Sequence, residues 1–96
     1  MVDPSIWRKY VSIMESIVGG DIRSRSRKRD FVVGRALVAH QLRIEGWTLE
    51  SIGLALNRDH ATVSHALDMA RDYMIYPDFA EIWSKFQIKI NENEKN

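Results

Sequence analysis

The 96-residue chain has no cysteine, two prolines, five glycines and almost no net charge: 14 Lys and Arg stand against 13 Asp and Glu. Without cysteine there is no disulfide framework, no thiolate zinc site and no thiol nucleophile, a composition suited to a reducing cytosol. Apolar runs span only a few residues and the N-terminus lacks a hydrophobic signal region, so neither a membrane span nor a secretory leader is expected. At this length folding buries only about 60–65% of the surface the unfolded chain exposes. That leaves a thin core with no room for a catalytic lid or a second domain. The 45% apolar content is nevertheless too high for disorder. One domain over residues 1–90 with a polar tail over 91–96 is expected, soluble and cytoplasmic.

The near-zero net charge hides an asymmetry. Residues 1–35 hold eight bases and four acids, whereas residues 36–96 hold six bases and nine acids. Five of the bases crowd into Arg23-Ser24-Arg25-Ser26-Arg27-Lys28-Arg29. A positive potential confined to one stretch favours a polyanion held by one surface.

Periodicity predicts an all-α bundle of about five helices. Over residues 4–18, Ile6, Tyr10, Ile13, Met14 and Ile17 recur at helical spacing, with Asp3 as N-cap, Pro4 in the first turn and Gly19-Gly20 as the stop. The polar stretch 21–29 has no apolar period and reads as a loop or a frayed helix start. A second helix is expected from Asp30 to Glu45, with Phe31, Val32, Arg35, Ala36, Ala39 and Leu42 inward, Val33, Leu37 and His40 on a flanking stripe, and Gly46 ending it. Thr48 caps a short third helix to Leu56 with Leu49, Ile52, Leu56 and the small Gly53 inward. After a turn at Asn57-Arg58, Asp59 caps a fourth helix to Tyr73, whose stripe is Val63, Ala66, Leu67, Ala70 and Met74. Asp78 with Glu81 three residues on predicts a capping box opening a fifth helix, with Phe79, Ile82, Trp83, Phe86 and Ile90 as its apolar stripe and a fraying tail behind it.

Two short helices joined by a tight turn are the helix-turn-helix arrangement, in itself a weak signal. The chemistry at the start of the fourth helix strengthens it. In a helix-turn-helix these first-turn residues meet base edges in the major groove. Asp59 can accept from a cytosine amino group, although an Asp in this place is more often simply a cap. His60 can donate to a base acceptor or lie against a thymine methyl, Ala61 can touch a thymine methyl, and Thr62 can reach a phosphate or a base. Other constellations are poorer. His40, His60 and His65 lack metal-ligand spacing, Asp68 and Asp72 have no partnered nucleophile, and Trp7, Trp47 and Trp83 lie near apolar stripes where core packing outranks base stacking.

Arg58-Asp59-His60-Ala61-Thr62-Val63-Ser64-His65-Ala66 resembles the Arg-Asp-His-Thr-Thr-Val-x-His-Ala signature of the C-terminal DNA-binding domain of the bacterial replication initiator DnaA, whose fold is akin to the Trp repressor. Leu49-Glu50-Ser51-Ile52-Gly53, the Ser24–Arg27 run leading through Val32 and Arg35, and Tyr76-Pro77-Asp78-Phe79 extend the similarity over residues 5–90. The resemblance implies double-stranded DNA as partner, with Arg27 the minor-groove arginine and Asp59, His60 and Ala61 the major-groove readers beside Thr62. It further implies Arg25, Lys28, Arg29, Arg35 and Arg58 as phosphate contacts, with His65 a second-rank candidate. Ala61 stands where the family usually has Thr, and Ala36 where it has Gln. The connections before Thr48 and around Asn57 are a residue shorter, so a site preference differing from the initiator's AT-rich box is expected.

The family's ATPase module, with its Gly-x-x-x-x-Gly-Lys-Ser/Thr loop, is absent from these 96 residues. No nucleotide, cofactor, metal or catalysis is therefore expected. The chain reads as the DNA-reading part of an initiator on its own, acting at the nucleoid in replication initiation or transcription regulation. If four to six phosphates are engaged, the log–log salt slope of binding should be roughly −4 to −5. Two other readings stand beside it: a protein-docking module anchored through Trp83 and Phe86 of the last helix, should these be exposed, and an RNA binder.

Overall fold

A computed structural model describes residues 4–94, in five helices among the described residues: α1 (Ile6–Val18), α2 (Arg29–Ile44), α3 (Leu49–Leu56), α4 (His60–Tyr73) and α5 (Pro77–Glu94). The expected all-α, helix-turn-helix architecture is present. α2 runs through the middle and touches all four other helices, while α1 packs on α5 and α3 on α4. One continuous core results, in which Met14, Leu37, Leu42, Ile52, Leu56, Phe79 and Phe86 are fully or almost fully buried. Each such side chain contributes about 1.5–3 kcal/mol by leaving water.

The central place of α2 corrects its expected inward face. Val33, Leu37 and Val38 are wholly buried with Ala36, Ala39 and Leu42, whereas Phe31, Val32 and Arg35 are only half-buried. A helix covered on several sides has no single inward stripe, and a one-sided reading undercounts its core.

Local chemistry sets most of the helix ends. α1 stops where Gly19 adopts φ 82°, its N–H bonded to the Glu15 carbonyl. The cap expected at Asp3 lies outside the described residues. Thr48 caps α3, its side-chain oxygen accepting from the Ser51 N–H at 3.1 Å, and Asp59 caps α4 in the same way. The start of α5 differs from expectation. Pro77 is its first residue, a place that suits a ring lacking an N–H and preset to helical φ. Asp78 therefore lies inside the first turn, and Glu81 pairs with Lys85 at 3.1 Å; the capping box does not form. α5 also continues to Glu94, through most of the stretch expected to fray.

The exposed anchors that the alternative docking reading requires on α5 are not found. Phe86 is fully enclosed, and Trp83 is half-buried with its ring against His40 and Phe86 at centroid distances of 5.3 and 6.0 Å. Trp7 and Trp47 are likewise half-buried against the core.

Candidate nucleic-acid interface

The turn between α3 and α4 is built for close approach. Asn57 closes α3 in the left-handed conformation (φ 58°), and the Arg58 N–H returns to the Gly53 carbonyl at 2.8 Å. A Cβ at position 53 would collide with the Arg58 carbonyl oxygen, so only glycine lets the turn lie against α3. α4 then presents His60, Ala61 and Thr62 on an exposed first turn. The Asp59 carboxylate takes the Thr62 N–H at 2.7 Å and also engages the Thr62 hydroxyl. Those two bonds, more than the neighbouring His60, hold Asp59 below the usual carboxylate range. Asp59 and Thr62 thus satisfy each other, while the His60 side chain makes no hydrogen bond among the described residues.

Ahead of α2, the stretch 21–28 is an ordered non-helical arm rather than a frayed helix start. Its first anchor is Ile22, a wholly buried side chain whose N–H donates to the Glu15 carboxylate at 3.0 Å. Desolvation is the main reason that Glu15 titrates above its usual range, with adjacent Asp21 adding to the rise against the Ile22 hydrogen bond. Beyond Ile22 the backbone is bent by short polar side chains, each accepting from an N–H two residues on. Asp21 takes Arg23 (2.9 Å), Ser24 takes Ser26 (3.3 Å) and Ser26 takes Lys28 (3.2 Å). Ser24 and Ser26 are half-buried, and the alternating Arg23, Arg25 and Arg27 are exposed.

The basic residues expected on DNA, the minor-groove Arg27 and the phosphate contacts, divide. Arg25 and Arg27 extend into solvent without an acidic partner among the described residues. Arg35 and Arg58 instead turn inward onto carbonyls of the arm. Lys28 lies over the Phe31 ring at 5.9 Å, and Arg29 pairs with Asp78 at 2.8 Å, away from the start of α4. His65 is exposed on α4 beside a small apolar pocket of about 140 Å³ that Val32, Ala39 and Met69 help to line.

The arm and the start of α4 meet along a polar groove of about 560 Å³. Arg25, Arg27, Arg35, Arg58, Asp59 and Thr62 all line it, together with Ser26 and Asn57, which were not among the residues expected at the site. Asn57 had a signal in its type, since asparagine tolerates left-handed backbone at a helix end. Asp68 and Asp72 are exposed and share Arg71 at 3.3 and 3.1 Å. No helix of the described residues is long and apolar enough to cross a membrane.

Comparison with known proteins agrees with this geometry. No curated protein and no solved structure matches the chain. Residues 8–69 match the family described as "Bacterial dnaA protein helix-turn-helix", a stretch that runs from α1 through the arm and the turn into α4. Covering well over half of the sequence, that match makes the chain a member of the DnaA helix-turn-helix family, and membership implies DNA binding.

Proposed function

We propose that this protein binds double-stranded DNA with sequence preference, the tip of α4 entering the major groove and Arg27 of the arm entering the adjacent minor groove. The observation that carries the reading is the shared groove, which sets an uncompensated arginine arm beside an exposed helix tip. Narrow AT-rich minor grooves concentrate negative potential and attract an inserted arginine. Base edges in the major groove are read by the first residues of a helix-turn-helix recognition helix. Here His60 supplies the hydrogen-bonding probe and Ala61 the apolar one, with the Asp59–Thr62 pair holding both in place. Arg25 and Lys28 neutralise phosphates. The protein has no chemistry of its own to perform on the DNA, and it serves replication initiation or transcription regulation at the nucleoid.

Selection of bound duplexes from a random pool, followed by titration at stated salt, tests this. Arg27→Ala should weaken binding to every duplex, most of all to AT-flanked sites. His60→Ala should leave non-specific binding intact and cut the ratio of specific to non-specific affinity by about 5- to 100-fold, the worth of one base contact. Equal binding of both variants and wild type to all duplexes would overturn the assignment, as would preferential competition by structured RNA.

A further inference from the structure

Arg35 and Arg58 occupy positions that the family resemblance assigns to phosphates, yet both guanidinia donate to carbonyls inside the molecule. Arg35 Nη1 donates to the carbonyls of Ile22 (3.0 Å) and Ser24 (3.1 Å), and its Nη2 to that of Ser26 (2.7 Å). These are alternate carbonyls of one run of chain, gathered around one planar fork. Arg58 donates Nη2 to the same Ser24 carbonyl and Nη1 to those of Arg23 (3.3 Å) and Asn57 (2.8 Å). The two lone pairs of the Ser24 oxygen are thereby taken by two guanidinia from different parts of the fold, α2 and the α3–α4 turn. Neither arginine has an acidic partner among the described residues. Burial first, and the neighbouring Arg58 charge second, lower the pKa of Arg35. Holding two like charges together is costly, and the carbonyl dipoles of the arm are what offsets it.

We infer that Arg35 and Arg58 are positioning residues, which fix the arm's curvature and its distance from the tip of α4 so that Arg25 and Arg27 reach one groove in register with His60 in the other. The inference rests on the DNA-binding reading above. It also separates two roles that charge alone would merge. A phosphate accepts lysine as a point charge, whereas a single ammonium on a flexible stem cannot span the carbonyls of Ile22, Ser24 and Ser26.

The test uses Arg35→Lys and Arg58→Lys in the full chain, with far-UV circular dichroism confirming the helices. Two readouts are taken: the rate of trypsin cleavage between Arg23 and Arg29 in the free protein, and affinity for a selected and a scrambled duplex over a salt series. Positioning predicts faster arm cleavage, unchanged non-specific affinity and salt slope, and a specificity ratio lowered about tenfold, on the scale of one lost base contact. The double variant should be little worse than either single one, since both hold the same carbonyl. If Arg35→Lys melts the fold, Arg58→Lys at the turn decides the matter. Lysine variants with wild-type cleavage and a wild-type ratio would overturn the inference. So would glutamine variants that lower the salt slope by about 0.9 each with arm cleavage unchanged, the mark of a direct phosphate contact. Should the wild type bind no duplex, the functional reading fails, while the cleavage rates still decide whether these arginines hold the arm.

Discussion

The arm over residues 21–28 and the first turn of α4 line one groove, yet they are held there by opposite means. The arm commits a single apolar side chain, Ile22, to the core and is otherwise tied to the rest of the fold through its backbone: the Glu15 carboxylate of α1 accepts an N–H, and two guanidinia donate to carbonyls. The start of α4 rides on a regular helix with Val63 and Ala70 in the core and a carboxylate cap. A stretch this rich in arginine has little apolar surface to bury and repels itself, so it is fixed through its main chain and keeps its side chains outward. A helix tip needs no such device, because its axis is already set by packing.

The largest break in this comparison is expected from Gly53→Ala, which strikes both regions at once. The new methyl would push on the Arg58 carbonyl, shifting the turn that aims α4 and with it the guanidinium that holds Ser24. A loss of about 1–3 kcal/mol is expected, as for other overpacked sites. Urea unfolding should show it as a lower midpoint at unchanged m-value, accompanied by lost site discrimination. A Gly53→Ala protein as stable and as selective as wild type would remove the close approach from the account.

Acid should next pull the two regions apart, because their anchoring carboxyls are shifted in opposite directions. Asp59 is depressed by its bonds to Thr62, so its contribution is present above the unfolded pKa and is lost as pH falls through the folded one, below about pH 4. Glu15 is raised, chiefly by burial. Its ionised form therefore penalises folding at neutral pH, and the penalty is relieved as pH falls toward about 4. Asp59→Asn, which keeps a capping oxygen, should flatten the acid limb of the stability curve. Glu15→Gln should stabilise at pH 7 and lose that advantage in acid. Urea midpoints between pH 2 and 7 check both signs; parallel curves for the two variants would show that the regions do not differ in this way.

These contrasts were unevenly legible in the sequence. The helix-turn-helix could be read because its caps are local: Thr48 and Asp59 each bond an N–H three residues on, and Asn57 and Gly53 mark the turn by residue type alone. The arm was visible as charge but not as structure. A search for apolar period passes over Ile22, a lone apolar residue, and over the alternation Arg-Ser-Arg-Ser-Arg, which is a period of two with half-buried serines and exposed arginines. The inward turn of Arg35 and Arg58 had no local signal at all. Their acceptors on the arm lie 9 to 13 and 34 to 35 residues away, and only the folded chain separates these arginines from Arg25 and Arg27.

Arg29 gives the finest test of the division between free and committed bases. Its Nη2 and Nε both reach Asp78 Oδ2, at 2.8 and 2.9 Å, and its guanidinium lies 5.8 Å from the centre of the Phe79 ring. The pair is about half exposed on both sides, so solvent screens it and it adds little to stability. It does, however, cancel most of the charge that Arg29 would offer to a phosphate. Replacing Arg25 with alanine should lower the salt slope by about 0.9, while Arg29→Ala should lower it by visibly less. Asp78→Asn releases the cation, so this one variant should steepen the slope and tighten non-specific binding. Anisotropy titrations over a salt series resolve the three. If Arg29→Ala flattened the slope as much as Arg25→Ala, the bound duplex would have to draw Arg29 away from Asp78, and the exposed ion pair would be a reserve of positive charge rather than a tie between α2 and α5.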